Sequence, residues 1–142
     1  MESDKILSRR TENVLRIFCG GIFVEQILLV FFGGGLGAVC RYFVTTALAG
    51  KFGNFPAGTF AANILGSFVM GLVLGILIGR SSEHFRLFAA VGFLGGFTTF
   101  SSFSAETLNL IQSGQIFSAS INIFGSVVAG IFAVAAGLTL TK

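Results

Sequence analysis

Charge is what this sequence has least of: nine basic and six acidic residues among 142, or 11%, where an ordinary soluble domain carries about 25%. That scarcity excludes a solvated globular surface, and a hydrophobic content of 54% places the chain in lipid. Cysteine is limited to Cys19 and Cys40. They lack metal-ligand spacing, which excludes a zinc site, and both read as small apolar residues. The formal net charge of +3 gathers near the ends of apolar stretches, where it anchors spans, so nucleic acid is not an expected partner. Tryptophan is absent and tyrosine occurs once, against 18 phenylalanines and 20 glycines. Many of the glycines sit inside apolar stretches, where a soluble helix would lose about 1 kcal/mol for each. In lipid they let helix backbones approach closely.

A helix needs about 20 mainly apolar residues to cross a bilayer core. Four stretches reach that length: Ile27 to Ala49, Ala57 to Gly79, Leu87 to Ile111 and Ile116 to Leu140. The connections Gly50 to Pro56, Arg80 to Arg86 and Gln112 to Gln115 are short, so neighbouring spans form antiparallel hairpins. The expected fold is an all-α membrane protein: a four-helix domain over residues 26–142 behind an N-terminal extension, 1–25. Ser8-Arg9-Arg10 has the look of a twin-arginine signal, but Thr11, Glu12 and Asn13 follow where apolar residues should begin. The extension reads instead as a short interfacial helix with Ile6, Leu7, Val14, Leu15 and Phe18 on one side.

The terminal side carries Arg9, Arg10, Arg16, Arg80, Arg86 and Lys142, the opposite side only Lys51, which predicts termini in the cytoplasm. Without the extension the bias is three against one, weak enough for insertion both ways round. A chain this short needs a second copy to enclose a polar path, so a homodimer is expected.

Polar residues inside spans are informative, because each unsatisfied group costs several kcal/mol in hydrocarbon. Thr59, Asn63 and Ser67 recur every four residues and share a helix face. Ser118, Asn122 and Ser126 repeat the spacing in span four, as do Thr98, Ser102 and Glu106 in span three. Singly, such side chains bond across helices or back to a carbonyl one turn earlier. Three aligned stripes together point to a water-accessible pathway rich in donors and poor in fixed charge. Gly92, Gly95 and Gly96 run straight into Thr98 and Thr99, a poor helical sequence that predicts a break at Gly95 to Thr98 with backbone groups exposed to an ion.

Phe100 and Phe103 sit among Thr98, Thr99, Ser101, Ser102 and Ser104, unlike the other phenylalanines, which read as lipid-facing or packing residues. A ring edge is positive and can face a small anion without trapping it; fluoride, compact and strongly hydrated, suits such a site. Arg41, in the outer half of span one, reads equally as a snorkelling residue or an entry point for anions. Glu106 lies on the polar stripe with its role open, and His84 reads as a surface residue beside Glu83 and Arg86.

These residues resemble the CrcB/Fluc family of fluoride channels. The likeness is carried by Gly33-Gly34-Gly35-Leu36-Gly37-Ala38 with Arg41-Tyr42, by Gly58-Thr59 with Asn63 and Gly66, and most specifically by the run from Gly92 to Ser104. It covers residue 27 to the end. The resemblance implies an antiparallel, dual-topology homodimer with two fluoride pathways and a structural sodium ion at the dimer centre. It further implies that Asn63 donates to fluoride, Phe100 and Phe103 present ring edges, Ser101 and Ser102 add hydroxyls, and the backbone carbonyls of Gly95 and Thr98 hold sodium. Ser102 stands where the family usually has Thr, and Asn122 where Tyr is common. The implied function is passive, selective efflux of fluoride across a bacterial inner membrane, with no covalent chemistry. A small proton-coupled dual-topology exporter would want a carboxylate within span one and usually Trp. An anchor subunit for an enzyme would show neither stripes nor a broken span.

Overall fold

A computed structural model describes residues 21–78 and 82–141, and these residues are helical apart from short connections. Among the described residues four helical stretches are long and apolar enough to cross a membrane. Helix α1 (Gly21–Leu48) is the first span and runs unbroken through Glu25 and Gln26, so helix begins before the first apolar stretch does. The interfacial helix expected within residues 1–25 lies mostly outside the described residues. Helix α2 (Ala57–Leu77) follows Pro56, whose fixed φ suits the entry to a helix. Gly50 and Gly53 in the connection have φ of 70° and 62°, a left-handed geometry that glycine adopts without strain.

The third span is two helices. Its first part, α3, runs through Glu83–Phe85, a wide-turned π-helical segment Arg86–Leu94, and Gly95–Phe97. Ser82 caps its start, and Arg86 bonds both carboxylate oxygens of Glu83. Its second part, α4, is Phe100–Gln112. A turn at Ser113–Gly114 leads into the last span, α5, built from Ile116–Ser120, a second π-type turn Ile121–Gly125, and Ser126–Thr139. The first span packs chiefly on α3, and the second on the C-terminal part of α5. Both contacts are backbone to backbone. A Cβ on Gly37 would collide with the Phe93 carbonyl, and one on Gly137 with the carbonyl of Phe68, which is the close approach small residues permit in membranes.

The core is thin and the outside apolar. Among the described residues only Ala62, Val73, Leu94, Phe97, Leu110 and Ala119 are buried hydrophobics, while Phe31, Phe32, Phe43, Phe117, Phe124 and Phe132 are exposed. Such a surface is stable in hydrocarbon and unstable in water.

Candidate functional site

The break in the third span falls at Thr98 and Thr99, two residues later than the glycines suggest. Gly95 is helical (φ −62°, ψ −36°), whereas Thr98 (−87°, 156°) and Thr99 (−150°, 123°) are extended. Threonine hydroxyls compete for backbone partners, and here they win. The Thr98 hydroxyl and N–H both donate to the Leu94 carbonyl, at 2.9 and 3.0 Å. The Thr99 hydroxyl oxygen accepts the Ser102 N–H at 3.3 Å and so caps α4, as hydroxyls do at helix starts. The same hydroxyl reaches Ser102 Oγ at 3.2 Å and Ser101 Oγ at 3.3 Å. The break also corrects one expected stripe: Ser102 and Glu106 share a face of α4, but Thr98 lies before the break and outside that helix.

Asn63 spans the gap. Its Oδ1 accepts the Thr99 N–H at 2.8 Å and its Nδ2 donates to the Thr99 carbonyl at 3.1 Å. One carboxamide therefore satisfies both backbone groups of a buried extended residue, which in hydrocarbon would otherwise cost several kcal/mol each. Gly66, one turn further along α2, makes room for this arrangement, since a Cβ there would strike the Thr98 methyl group and the Phe97 ring.

A cavity of about 340 Å³ opens beside the break, lined by Asn63, Ser67, Thr98, Thr99, Ser126 and the rings of Phe100 and Phe103, with apolar residues around them. The two rings lie 5.7 Å apart, tilted by 36°, and Phe100 is 81% exposed, so one wall of the cavity faces out of the protomer. No cation lines it. A second cavity, about 410 Å³, lies where the Gly50–Pro56 connection meets the turn after α4. Asn54, Glu106, Asn109, Ser113 and Gln115 supply its polar lining.

Between the two cavities runs a sparse polar relay. The Thr59 hydroxyl donates to Glu106 Oε1 at 2.7 Å. Asn122, 1% exposed, donates through Nδ2 to the Thr107 hydroxyl at 2.8 Å, which in turn donates to the Phe103 carbonyl at 2.7 Å. Glu106 Oε2, Asn122 Oδ1 and Ser126 Oγ are buried without a partner among the described residues.

Of the residues singled out from sequence, the fold thus brings Asn63, Phe100, Phe103, Ser101, Ser102 and Thr98 to the break, and Thr59 and Glu106 to one hydrogen bond below it. Arg41 is set apart. It lines neither cavity and has no ion-pair partner among the described residues. Sequence reasoning gave no role to Thr107, nor to the tie between Asn63 and Thr99. Thr107 lies off the four-residue repeats that marked the stripes.

The extended backbone at Thr98 and Thr99 withdraws the helical amides from the carbonyls of Gly95, Gly96, Phe97 and Thr98, and two of those amides have new partners. The Thr99 N–H, which a continuous helix would return to Gly95, goes to Asn63. The Ser102 N–H, due to Thr98, goes to the Thr99 hydroxyl. The carbonyls of Gly95 and Thr98 are thereby left without the amides that a continuous helix would give them.

The class these features define is a small multi-pass membrane protein built around a polar cavity at a broken span. The chain belongs to the family described as CrcB-like protein, Camphor Resistance (CrcB), which matches residues 28–138. It is 48% identical over 118 residues to the fluoride-specific ion channel FluC 2 of Nitrobacter hamburgensis, covering 81% of this chain and 95% of that protein. It is 49% identical over 111 residues to the fluoride-specific ion channel FluC of Thermus thermophilus, covering 77% and 89%. The FluC of Pyrococcus furiosus is 41% identical over 121 residues, covering 84% and 98%. Those relatives are named ion channels, not enzymes, in agreement with a protein that performs no covalent chemistry.

Proposed function

We propose that this chain is a fluoride-selective channel that releases cytoplasmic fluoride by passive electrodiffusion and so lowers its toxicity after hydrogen fluoride enters as the neutral acid. The observation that carries the reading is the cavity at the break: hydroxyl and carboxamide groups beside two tilted phenylalanine rings, with no cation among the described lining residues. Fluoride gives up tightly held water only to close donors. Hydroxyls and positive ring edges supply them, while a lysine or arginine at that point would bind too strongly for conduction.

In this reading one N–H of Asn63, beyond the one spent on Thr99, turns to the ion, and Ser101 and Ser102 add hydroxyls near Phe100 and Phe103. Thr59 holds the Glu106 carboxyl at the edge of the second cavity, which serves as the vestibule, with Arg41 as a long-range attraction for anions near that end. The working unit is an antiparallel, dual-topology homodimer in a bacterial inner membrane. It is favoured by the open cavity wall at Phe100 and by the apolar protomer surface, which lipid or a second copy must cover. The carbonyls of Gly95 and Thr98 fit a sodium ion, which when bound supplies positive charge to carbonyl dipoles left without amides.

Proton-coupled export is a poorer fit. The first span contains a single carboxylate, Glu25, which is largely exposed and 3.3 Å from His84 Nε2. The test is fluoride efflux from liposomes reconstituted with the pure protein, followed with a fluoride electrode against a chloride control. Fast fluoride release without chloride is expected; no release from folded protein would overturn the proposal.

A further inference from the structure

We propose that the Asn63 carboxamide and the Thr99 hydroxyl are positioning groups that hold the third span open and keep the Gly95 and Thr98 carbonyls available to a monovalent cation. The proposal rests on the reading that those carbonyls hold sodium.

The competition at the break is between two acceptors for each amide. The Thr99 N–H can return to Gly95 and continue α3, or go to Asn63 Oδ1, where it lies at 2.8 Å. The Ser102 N–H can return to Thr98 and extend α4 backwards, or go to the Thr99 hydroxyl, as it does. Thr99 is 8% exposed, so its amide cannot fall back on water and must take one partner or the other. The Thr98 N–H and hydroxyl are already committed to Leu94, so neither occupies the Gly95 carbonyl. Asn63 also secures the Thr99 carbonyl at 3.1 Å, which fixes the extended residue from both sides. Removing Asn63 leaves the Thr99 amide with one remedy, winding back onto Gly95, and that takes an oxygen from the cation.

The substitutions separate positioning from fluoride contact. Asn63→Asp keeps an acceptor for the Thr99 N–H but places a negative charge on the anion path. Asn63→Ala removes the acceptor. Thr99→Ser keeps the cap and Thr99→Val removes it. For each full-length protein in detergent, the sodium concentration that gives half-maximal protection against thermal loss of the monodisperse peak is measured, with N-methylglucamine as replacement. Hydrogen exchange is followed in peptides covering residues 95–104.

Losing the hydrogen bond that diverts the amide raises the sodium midpoint about tenfold in Asn63→Ala and Thr99→Val. Asn63→Asp and Thr99→Ser stay within about threefold of the parent by the same conversion, although Asn63→Asp abolishes fluoride flux. Exchange protection at Thr99 is kept in Asn63→Ala, because its amide passes from Asn63 to the Gly95 carbonyl; a fall in protection there would mean that the amide does not take that oxygen. Sodium protection of the parent with an unchanged midpoint in both Asn63→Ala and Thr99→Val overturns the positioning role while leaving the sodium reading intact. No sodium protection in the parent removes the sodium reading and this proposal with it. If Asn63→Ala does not assemble, the Thr99→Val and Thr99→Ser pair decides the matter.

Discussion

The break at Thr98–Thr99 and the relay around Glu106 and Asn122 share α2 and α4 and both use threonine and asparagine side chains, yet their hydrogen bonding differs. At the break Asn63, Thr98, Thr99, Ser101 and Ser102 all have partners. Lower down, Glu106 Oε2 and Asn122 Oδ1 are buried with none among the described residues, as is Ser126 Oγ on the cavity wall. A saturated network is rigid and costly to open, whereas an unsaturated buried group is an invitation to a mobile partner. The first region sets the backbone and the second offers contacts.

That contrast predicts a graded series of effects. The largest belongs to the break: Asn63→Ala should lower fluoride flux about 100-fold, since it strips a buried backbone pair of both partners. Phe100→Ile, which removes a ring edge and leaves the backbone alone, should act on flux with the dimer still folded. Liposome efflux together with size-exclusion chromatography checks both, and undiminished flux in the two variants would take these residues out of the pathway. Next comes Gly66→Ala, whose methyl group meets the Thr98 side chain. An overpacked contact of this kind costs about 1–3 kcal/mol, visible as a lower thermal midpoint in detergent.

Asn122→Leu should be mild in stability and clear in flux. The substitution removes an unsatisfied carbonyl but also the donor to the Thr107 hydroxyl, so the thermal midpoint should fall by no more than about 1 kcal/mol's worth while flux falls about tenfold, a single contact's worth. Unchanged flux would mean that the relay is structural after all. The smallest effect is expected at the exposed Glu83–Arg86 pair, where Arg86→Gln should alter neither flux nor the thermal midpoint, because solvent-exposed ion pairs contribute little.

Much of this architecture was legible beforehand because lipid imposes a one-dimensional rule: a span must be long and apolar, so Ala57–Leu77 and Ile116–Thr139 could be read almost to the residue. The site was legible to the extent that four-residue spacing survives folding. Thr59 with Asn63, and Ser102 with Glu106, kept their shared faces. Thr98 did not, because extended backbone at two residues rotates everything before it. The expected break ran from Gly95 to Thr98; Thr98 does leave the helix, with Thr99 after it, while Gly95 and Gly96 stay helical. Helix propensity measures a cost, and packing against α1 is met best by helix there, leaving the hydroxyl-bearing threonines to break.

By itself the sequence determined that this chain crosses a membrane four times and that polar side chains gather in its second, third and fourth spans, since both follow from hydropathy and periodicity. Only the tertiary structure decided which of those groups are spent on one another. Asn63 and Thr99 are 36 positions apart, and Thr107 and Asn122 are 15. Pairings across helices depend on where neighbouring backbones come to rest, and no local pattern encodes that.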